Sequence, residues 1–455
     1  MSKRRHEMDM TQGPLLPMIL TYALPLVLSD ILQLLYNAAD IAVVGRFASA
    51  QALAAVSSTS SIISIFTNIT IGLSMGASVL VARAWGSGDQ KKVSDASHTA
   101  ITLGLICGAV MLIIGTVLGK PMLKWMNSPE DVIDLASVYL LVYFSGSIFS
   151  MMFNYGAAVM RAVGDTRRPT LYLILSGLLN VVLNLIFVIF LNMNVVGVAL
   201  ATVISQFLSA ALVVRALVRS DTSIRLEWKK LRIVPCELME QMKIGVPVSI
   251  QKSMFSISNV ILQTAVNGFG SATMAGSGAA ANIEMFIYSG MCCFYTACLT
   301  FTSQNMGARK PDRMRQTTRI CLCCDVVVGF VLASLVLRFA PQLVSIYSTE
   351  AEVISQGVQR LQATAMPFIL GGMMDSFVAS MRGMGKSLAP MLISIVGICI
   401  LRILWITLVF PLSPSLYTLY LSYPVSWAVT VVAQGICYLI IRRKVFRELE
   451  AAPAA

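Results

Sequence analysis

The sequence predicts an all-α membrane protein of twelve transmembrane helices, arranged as two parallel-repeat six-helix bundles. Three observations predict it: apolar stretches long enough to cross a bilayer, basic residues confined to alternate loops, and an internal repeat. Of the 455 residues, 56% are apolar and only 12% are charged. The stretches 171–194 and 195–214 hold no Asp, Glu, Lys or Arg. Each meets the roughly 20 residues a helix needs to cross about 30 Å of hydrocarbon. A soluble chain of this length would divide into several domains with polar surfaces between them.

Taken in order, the apolar runs place helices over 17–45, 52–81, 94–118, 132–160, 170–191, 195–219, 238–268, 274–306, 316–339, 352–381, 388–411 and 417–441. The net charge of +12 raises the question of a nucleic-acid partner, and its distribution answers it. With the N-terminus inside, Lys3, Arg4 and Arg5 start on the cytoplasmic side. Arg83, Lys91 and Lys92 then follow the second helix, Arg161, Arg167 and Arg168 the fourth, and Arg215 to Arg232 the sixth. Arg309 to Arg319 follow the eighth, Arg382 and Lys386 the tenth, and Arg442 to Arg447 the last. Only Arg46, Lys120, Lys124 and Arg338 fall on the other side. The positive-inside rule therefore puts both termini in the cytoplasm and requires an even helix count. The charge orients a multi-pass chain in the membrane, its partner is the lipid bilayer, and no nucleic-acid partner is expected. The first apolar segment is longer than a signal-peptide core, so no cleavable signal is expected.

The chain repeats itself at a spacing of about 221 residues. Met160-Arg161-Ala162-Val163-Gly164 through Pro169 matches Met381-Arg382-Gly383-Met384-Gly385 through Pro390. Leu24-Pro25 matches Val246-Pro247, and Phe47-Ala48-Ser49-Ala50 matches Phe269-Gly270-Ser271-Ala272. An even number of helices per repeat inserts both halves the same way up, which puts a substrate site at the interface of the halves. The divisions expected are an N-lobe over 1–219, a cytoplasmic linker over 220–237 and a C-lobe over 238–455. Each Arg-x-x-Gly-x-x-x-x-Pro turn closes a helix end. Arg is placed beside the last carbonyls, Gly at the left-handed cap and Pro just inside the next helix.

Polar groups inside spanning helices are costly and usually mark function. In the first helix Asp30, Gln33, Asn37 and Asp40 fall within about 80° of arc, one polar stripe on an apolar rod. The fifth carries Asn180 and Asn184 one turn apart, and Thr202 of the sixth is able to join them. One carboxylate with a few neutral oxygens suits a proton or small cation; the bland alternative is hydrogen-bonded glue between helices. In the seventh helix Lys252, Ser256, Asn259, Gln263 and Asn267 form a second stripe within about 80°, with Gln251 beside it. Asn154, Glu284 and Asp375 complete the cavity candidates, and Asp325 with Arg402 is a candidate ion pair. All ten cysteines read as small buried hydrophobes, and with two histidines in the chain no metal site is expected. No catalytic constellation is present, so an enzyme is not expected.

These residues resemble a known family. The Asn37-x-x-Asp40-x-x-x-Val44-Gly45 end of the first helix and the Met-Arg-x-x-Gly-x-x-x-x-Pro turn in both halves look like the multidrug and toxic compound extrusion (MATE) exporters, over Thr11 to Arg447. The resemblance is to the DinF-like and MepA-like prokaryotic branch. It implies export of cationic, amphipathic drugs or dyes in exchange for H+ or Na+, with no cofactor expected; a monomer is expected because the site lies between the chain's own halves. The family's N-lobe cation site carries over onto Asp40, Asn180 and Thr202; at Asn184 some relatives have Asp, which weakens a sodium shell here. The NorM-like branch has a Glu where this chain has Phe255 and an Asp near Gly371, so that C-lobe site does not carry over. A lipid-linked oligosaccharide flippase of the same superfamily is the alternative, and it would call for a more cationic cavity than Lys252, Arg360 and Arg402 provide.

Overall fold

The computed structural model describes residues 7–47, 50–125 and 130–451, without the side chains of residues 37–47, 50–54, 57, 58, 61, 130 and 131. Among the described residues every regular element is helical. Helices α1 (Leu15–Phe47), α2 (Ala50–Gly86) and α3 (Gln90–Trp125) are followed by the pair α4 (Glu130–Ser145) and α5 (Ser147–Ala162). Then come α6 (Arg167–Leu185), α7 (Asn194–Val218), α8 (Pro235–Asn267), α9 (Ser271–Gly307) and α10 (Pro311–Arg338). The short α11 (Ala340–Ser345) leads to α12 (Ala351–Thr364), α13 (Phe368–Gly383), α14 (Leu388–Ser394), α15 (Leu401–Leu404) and α16 (Leu416–Ala451). Nine helices among the described residues are long and apolar enough to cross a membrane, and the bent pair α4–α5 makes a tenth. The other two expected spans are α8, diluted by its polar stripe, and α12–α13, which a break divides.

Membrane solvation inverts the usual helix pattern, because the solvent is hydrocarbon and the polar atoms must find each other. On α6 the exposed face is Leu171, Leu175, Leu178 and Val182, while Ser176, Gly177, Asn180 and Asn184 are buried. On α16 Val429, Val432 and Ile436 are exposed, and Ser422, Ser426, Thr430 and Gln434 are buried. The cysteine reading needs a correction: Cys236 and Cys323 are exposed. Cys236 sits in the first turn of α8, and Cys323 lies on the outer face of α10.

The repeat is deeper in the structure than in the sequence. The expected fourth helix breaks at Gly146 with a 44° bend, and the expected tenth breaks before Pro367, the equivalent position. Gly supplies no side chain to hold the helix there, and Pro lacks the N–H that would continue it. The two turns are superposable in their hydrogen bonds. Gly164 (φ +94°) and Gly385 (φ +82°) take the left-handed cap. Asp165 N donates to Met160 O at 3.1 Å and Lys386 N to Met381 O at 2.9 Å. Beyond α6 the helix widens to a π-turn over Ile186–Phe190, and beyond α15 over Trp405–Val409.

Packing divides the chain into two compact units. One takes Leu28–Ser249 with the N-terminal residues up to Asp9; the other takes Met10–Val27 with Ile250–Ala455. Each division runs through the interior of a helix, two residues past Pro25 in α1 and two past Pro247 in α8. The first unit therefore owns the start of α8. Gly72-x-x-x-Gly76 of α2 meets Gly245-x-x-x-Ser249 of α8: a Cβ on Gly72 would lie 2.6 Å from Ser249 Cα, and one on Gly245 would lie 3.0 Å from Leu73 Cα. Ser249 Oγ donates to Ile69 O at 3.0 Å. Small residues four apart let the backbones touch, the usual way helices adhere where no hydrophobic effect separates protein from lipid.

The segment joining α7 to α8 is fastened to the start of α3 within the same unit. Arg232 pairs with Asp95 at 2.9 Å, Val234 N donates to Thr99 Oγ1, and Gln241 Nε2 donates to Ala96 O. His98 accepts the Glu227 N–H on Nε2 at 3.1 Å while Nδ1 faces the Ser94 carbonyl at 2.7 Å, so its role is to hold this segment. Asp89 caps α3 by accepting the Lys92 N–H at 3.0 Å, and that bond holds its carboxyl below the usual range. In the second unit α9 is buried along most of its length. Met10 N donates to Gln304 Oε1 at 3.1 Å and Arg313 Nη2 to Met10 O at 3.1 Å, while Tyr22 Oη lies 3.0 Å from Thr300 Oγ1.

Candidate functional site

In the first unit the structure brings three of the four expected coupling residues together. Asn184 Nδ2 donates to Asn180 Oδ1 at 3.3 Å, and Asn180 Nδ2 donates to Thr202 Oγ1 at 3.4 Å. Thr202 in turn donates to Val198 O at 3.0 Å, one turn back on α7. Both asparagines are buried. The result is a row of neutral oxygens and amides between α6 and α7 with no formal charge of its own. The remaining ligand would come from α1. Tyr36 of that helix donates to Ile174 O at 3.2 Å, and its ring covers Gly177 so closely that no Cβ fits there. Asp40 is one turn beyond Tyr36 in α1. The side chains of Asp40 and Asn37 lie outside the described residues, and Gln33 is exposed. Asn154 is half-buried in α5 and satisfies itself locally, donating to Ser150 O at 2.8 Å.

The second unit holds a different chemistry. Glu284 of α9 is bidentate with Arg360 of α12, at 3.1 Å from Nε and 2.7 Å from Nη2. Thr364 Oγ1 donates to Glu284 and Arg360 Nη1 donates to Ser277 Oγ at 2.6 Å. The guanidinium also sits 5.9 Å from the Tyr420 ring and 5.7 Å from the Tyr423 ring. Both carboxylate oxygens are thus engaged, so Glu284 is a buried structural anion rather than an open cavity group. The candidate pair of Asp325 and Arg402 does not form. Asp325 accepts from Ser376 Oγ at 2.5 Å, and Arg402 Nε donates to Ser426 Oγ at 3.0 Å. The two side chains turn to different neighbours because α10 meets α13, while α15 meets α16.

A third group surrounds Asp375 of α13, which accepts from Tyr288 at 3.5 Å and has Lys252 and Arg382 within electrostatic reach. Arg382 corrects the reading of the turn motif. It does not cap its own helix; it turns inward, donating to Tyr295 Oη and to Gln251 Oε1 at 2.7 Å each. Farther along α8, Gln263 donates to Asn267 Oδ1 at 2.9 Å, Lys252 is half-buried and Asn259 is exposed. Sequence reasoning missed Arg360 as the partner of Glu284. The signal that finds it is register: Arg360 and Thr364 are one turn apart on α12, a basic group and a hydroxyl on one face.

Comparison with known proteins fits this architecture. The MatE family model matches twice, over residues 25–186 and 247–407, once for each half. The chain is 27% identical over 384 residues to the probable multidrug resistance protein YoeA of Bacillus subtilis, covering 83% of each. It is 21% identical over 389 residues to the multidrug export protein MepA of Staphylococcus saprophyticus, covering 85% of each. The solved structure of a MOP superfamily transporter from Pyrococcus furiosus shares the fold, with a TM-score of 0.91 at 20% identity over 99% of this chain and 100% of that one. Two repeats of one helical plan, with polar groups buried and apolar faces turned out, belong to a membrane transporter and not an enzyme: the chain is a member of the MatE family.

Proposed function

We propose that the chain is a secondary active multidrug exporter, which expels cationic, amphipathic drugs or dyes in exchange for protons. It works as a monomer in the bacterial inner membrane, with both termini cytoplasmic and no cofactor. The observation that carries this reading is the buried row Asn184–Asn180–Thr202, set beside the helix that bears Asp40. Neutral amides and a hydroxyl hold a protonated carboxylate as readily as an ionised one, so the row suits a group that must cycle between both. Sodium would need these same oxygens as its shell with a single formal charge, a weaker arrangement. The names of YoeA and MepA support drug export as the activity.

Exchange of one proton inward for one monovalent cation outward moves no net charge. The membrane potential, worth about 2.3 kcal/mol per charge per 100 mV, then contributes nothing and the pH gradient drives export. The purified protein in liposomes, loaded with a fluorescent cationic dye, tests this under an imposed pH or sodium gradient. The pH gradient is expected to drive the wild type at any clamped potential, and Asp40→Asn is expected to abolish the driven component. Transport driven by sodium alone would reassign the coupling ion. No transport under either gradient would remove the exporter reading and leave the flippase to be tested.

A further inference from the structure

Arg402 is 3% exposed, yet among the described residues no carboxylate comes within ion-pair distance of it; Glu284, the nearby acid, is paired with Arg360. Its Nε is taken by Ser426, and its guanidinium lies 4.3 Å from the Tyr423 ring and 5.4 Å from the Trp427 ring. Its Nη2 has no hydrogen-bond partner. Contacts with ring faces offset part of the desolvation of a cation. They do not offer an acceptor to a buried N–H, and a buried charge left with unmade bonds is expensive. The other buried guanidinium nearby, Arg360, has its carboxylate in Glu284 and contributes no free charge.

The backbone also singles this residue out. Arg402 sits on one α-turn, Leu401–Leu404, between π-helical stretches at Ile395–Ile400 and Trp405–Val409. Such widened turns leave regular helix geometry at a cost and cluster at functional positions. Trp427 in turn is packed by Phe255 and Phe368, and a Cβ on Gly371 would lie 3.8 Å from its indole. Aromatic rings and one unsatisfied guanidinium edge are buried together here, the groups an aromatic anion would engage.

We propose that Arg402 is a carboxylate subsite of the transport pathway, and that the substrates include aromatic zwitterions whose acid group docks on Nη2 while the ring system stacks on Tyr423 and Trp427. This rests on the exporter reading and extends it to net-neutral zwitterions, whose export for one proton carries one charge inward and so, unlike that of a cation, also draws on the membrane potential. One guanidinium edge matches one carboxylate; a diphosphate would call for further cations that this cluster lacks. A lipid headgroup does not reach it either. The span runs Leu388–Leu412, so Arg402 is ten residues or more from either end, about 15 Å along the helix.

The probes are a xanthene dye whose carboxyl is esterified, a plain cation, and its free acid, a zwitterion of the same ring shape. Binding of each to the purified full chain in detergent is read by fluorescence anisotropy, and transport of each in liposomes is followed alongside. The wild type is expected to favour the acid, and Arg402→Gln to lower the acid-to-ester affinity ratio about tenfold to a hundredfold. Arg402→Lys, which keeps the charge but not the planar fork, is expected to recover part of it. Ser426→Ala, a milder change that only releases Nε, is expected to lower the ratio by less. An unchanged ratio in Arg402→Gln, or no preference in the wild type, overturns the subsite. Displacement of the acid by phosphatidylglycerol but not by phosphatidylcholine would assign the arginine to lipid phosphate and overturn it as well. Ester transport without acid preference leaves the exporter standing and the subsite gone; acid preference without transport of either dye does the reverse.

Discussion

Glu284→Gln is expected to lower the stability of the second unit by about 3–5 kcal/mol, the cost of stranding one member of a buried ion pair. Arg360 loses its bidentate partner, and Ser277 with the two tyrosine rings is left to solvate a full charge. Glu284→Gln combined with Arg360→Gln removes both charges together and is expected to recover most of the loss, because two neutral amides keep the hydrogen bonds to Ser277 and Thr364. Thermal unfolding of the detergent-purified protein, followed by tryptophan fluorescence, reads the difference. A double variant as unstable as the single one would mean that the loss comes from packing and not from charge.

Gly76→Leu is expected to be more damaging still, since its effect falls on backbone and not on side chains. A Cβ there meets the carbonyl of Gln241 directly and the Gly245 N at 3.0 Å, so α2 and α8 would have to part. Separation breaks the Ser249 bond to Ile69 and opens the whole Gly72–Ser249 seam. Overpacking of a well-filled core costs about 1–3 kcal/mol when side chains can yield, and here the obstacle is backbone. The expected readout is loss of the monodisperse folded peak in detergent gel filtration, with Gly76→Ala intermediate. Full yield of a monodisperse Gly76→Leu protein would show that the seam is looser than its geometry.

Much of this was legible before any coordinates. Hydropathy located the spans because the bilayer fixes their length, and the offset of about 221 residues located the repeat because turn chemistry needs Gly and Pro at fixed places. Asn180, Asn184 and Thr202 fell together for a related reason: two were a turn apart on α6, and α7 is the next helix in the chain. What helical spacing cannot supply is the partner of a given face. Asp325 and Arg402 looked like a pair from charge alone, and Arg382 looked like a cap from its position; both choices are settled by which helices cross. The passage of each leading helix from one unit to the other was also beyond a hydropathy reading. Its trace was nonetheless present in the repeated prolines, Pro25 and Pro247, which stand just ahead of the two transitions.

That passage has a consequence for biosynthesis. Residues Met10–Val27 leave the ribosome among the first, yet their hydrogen-bond partners in the second unit follow 278 to 303 residues later. At about 5–20 residues per second the wait is roughly 15–60 s. During that interval Tyr22 in the opening half of α1, and the Met10 and Gly13 carbonyls just ahead of it, lack their lasting partners. A stall or truncation before Arg313 would therefore release a first unit whose own leading helix has nowhere to dock its base. The second unit therefore gathers its first segment early and completes it only once the chain has been made through Arg313.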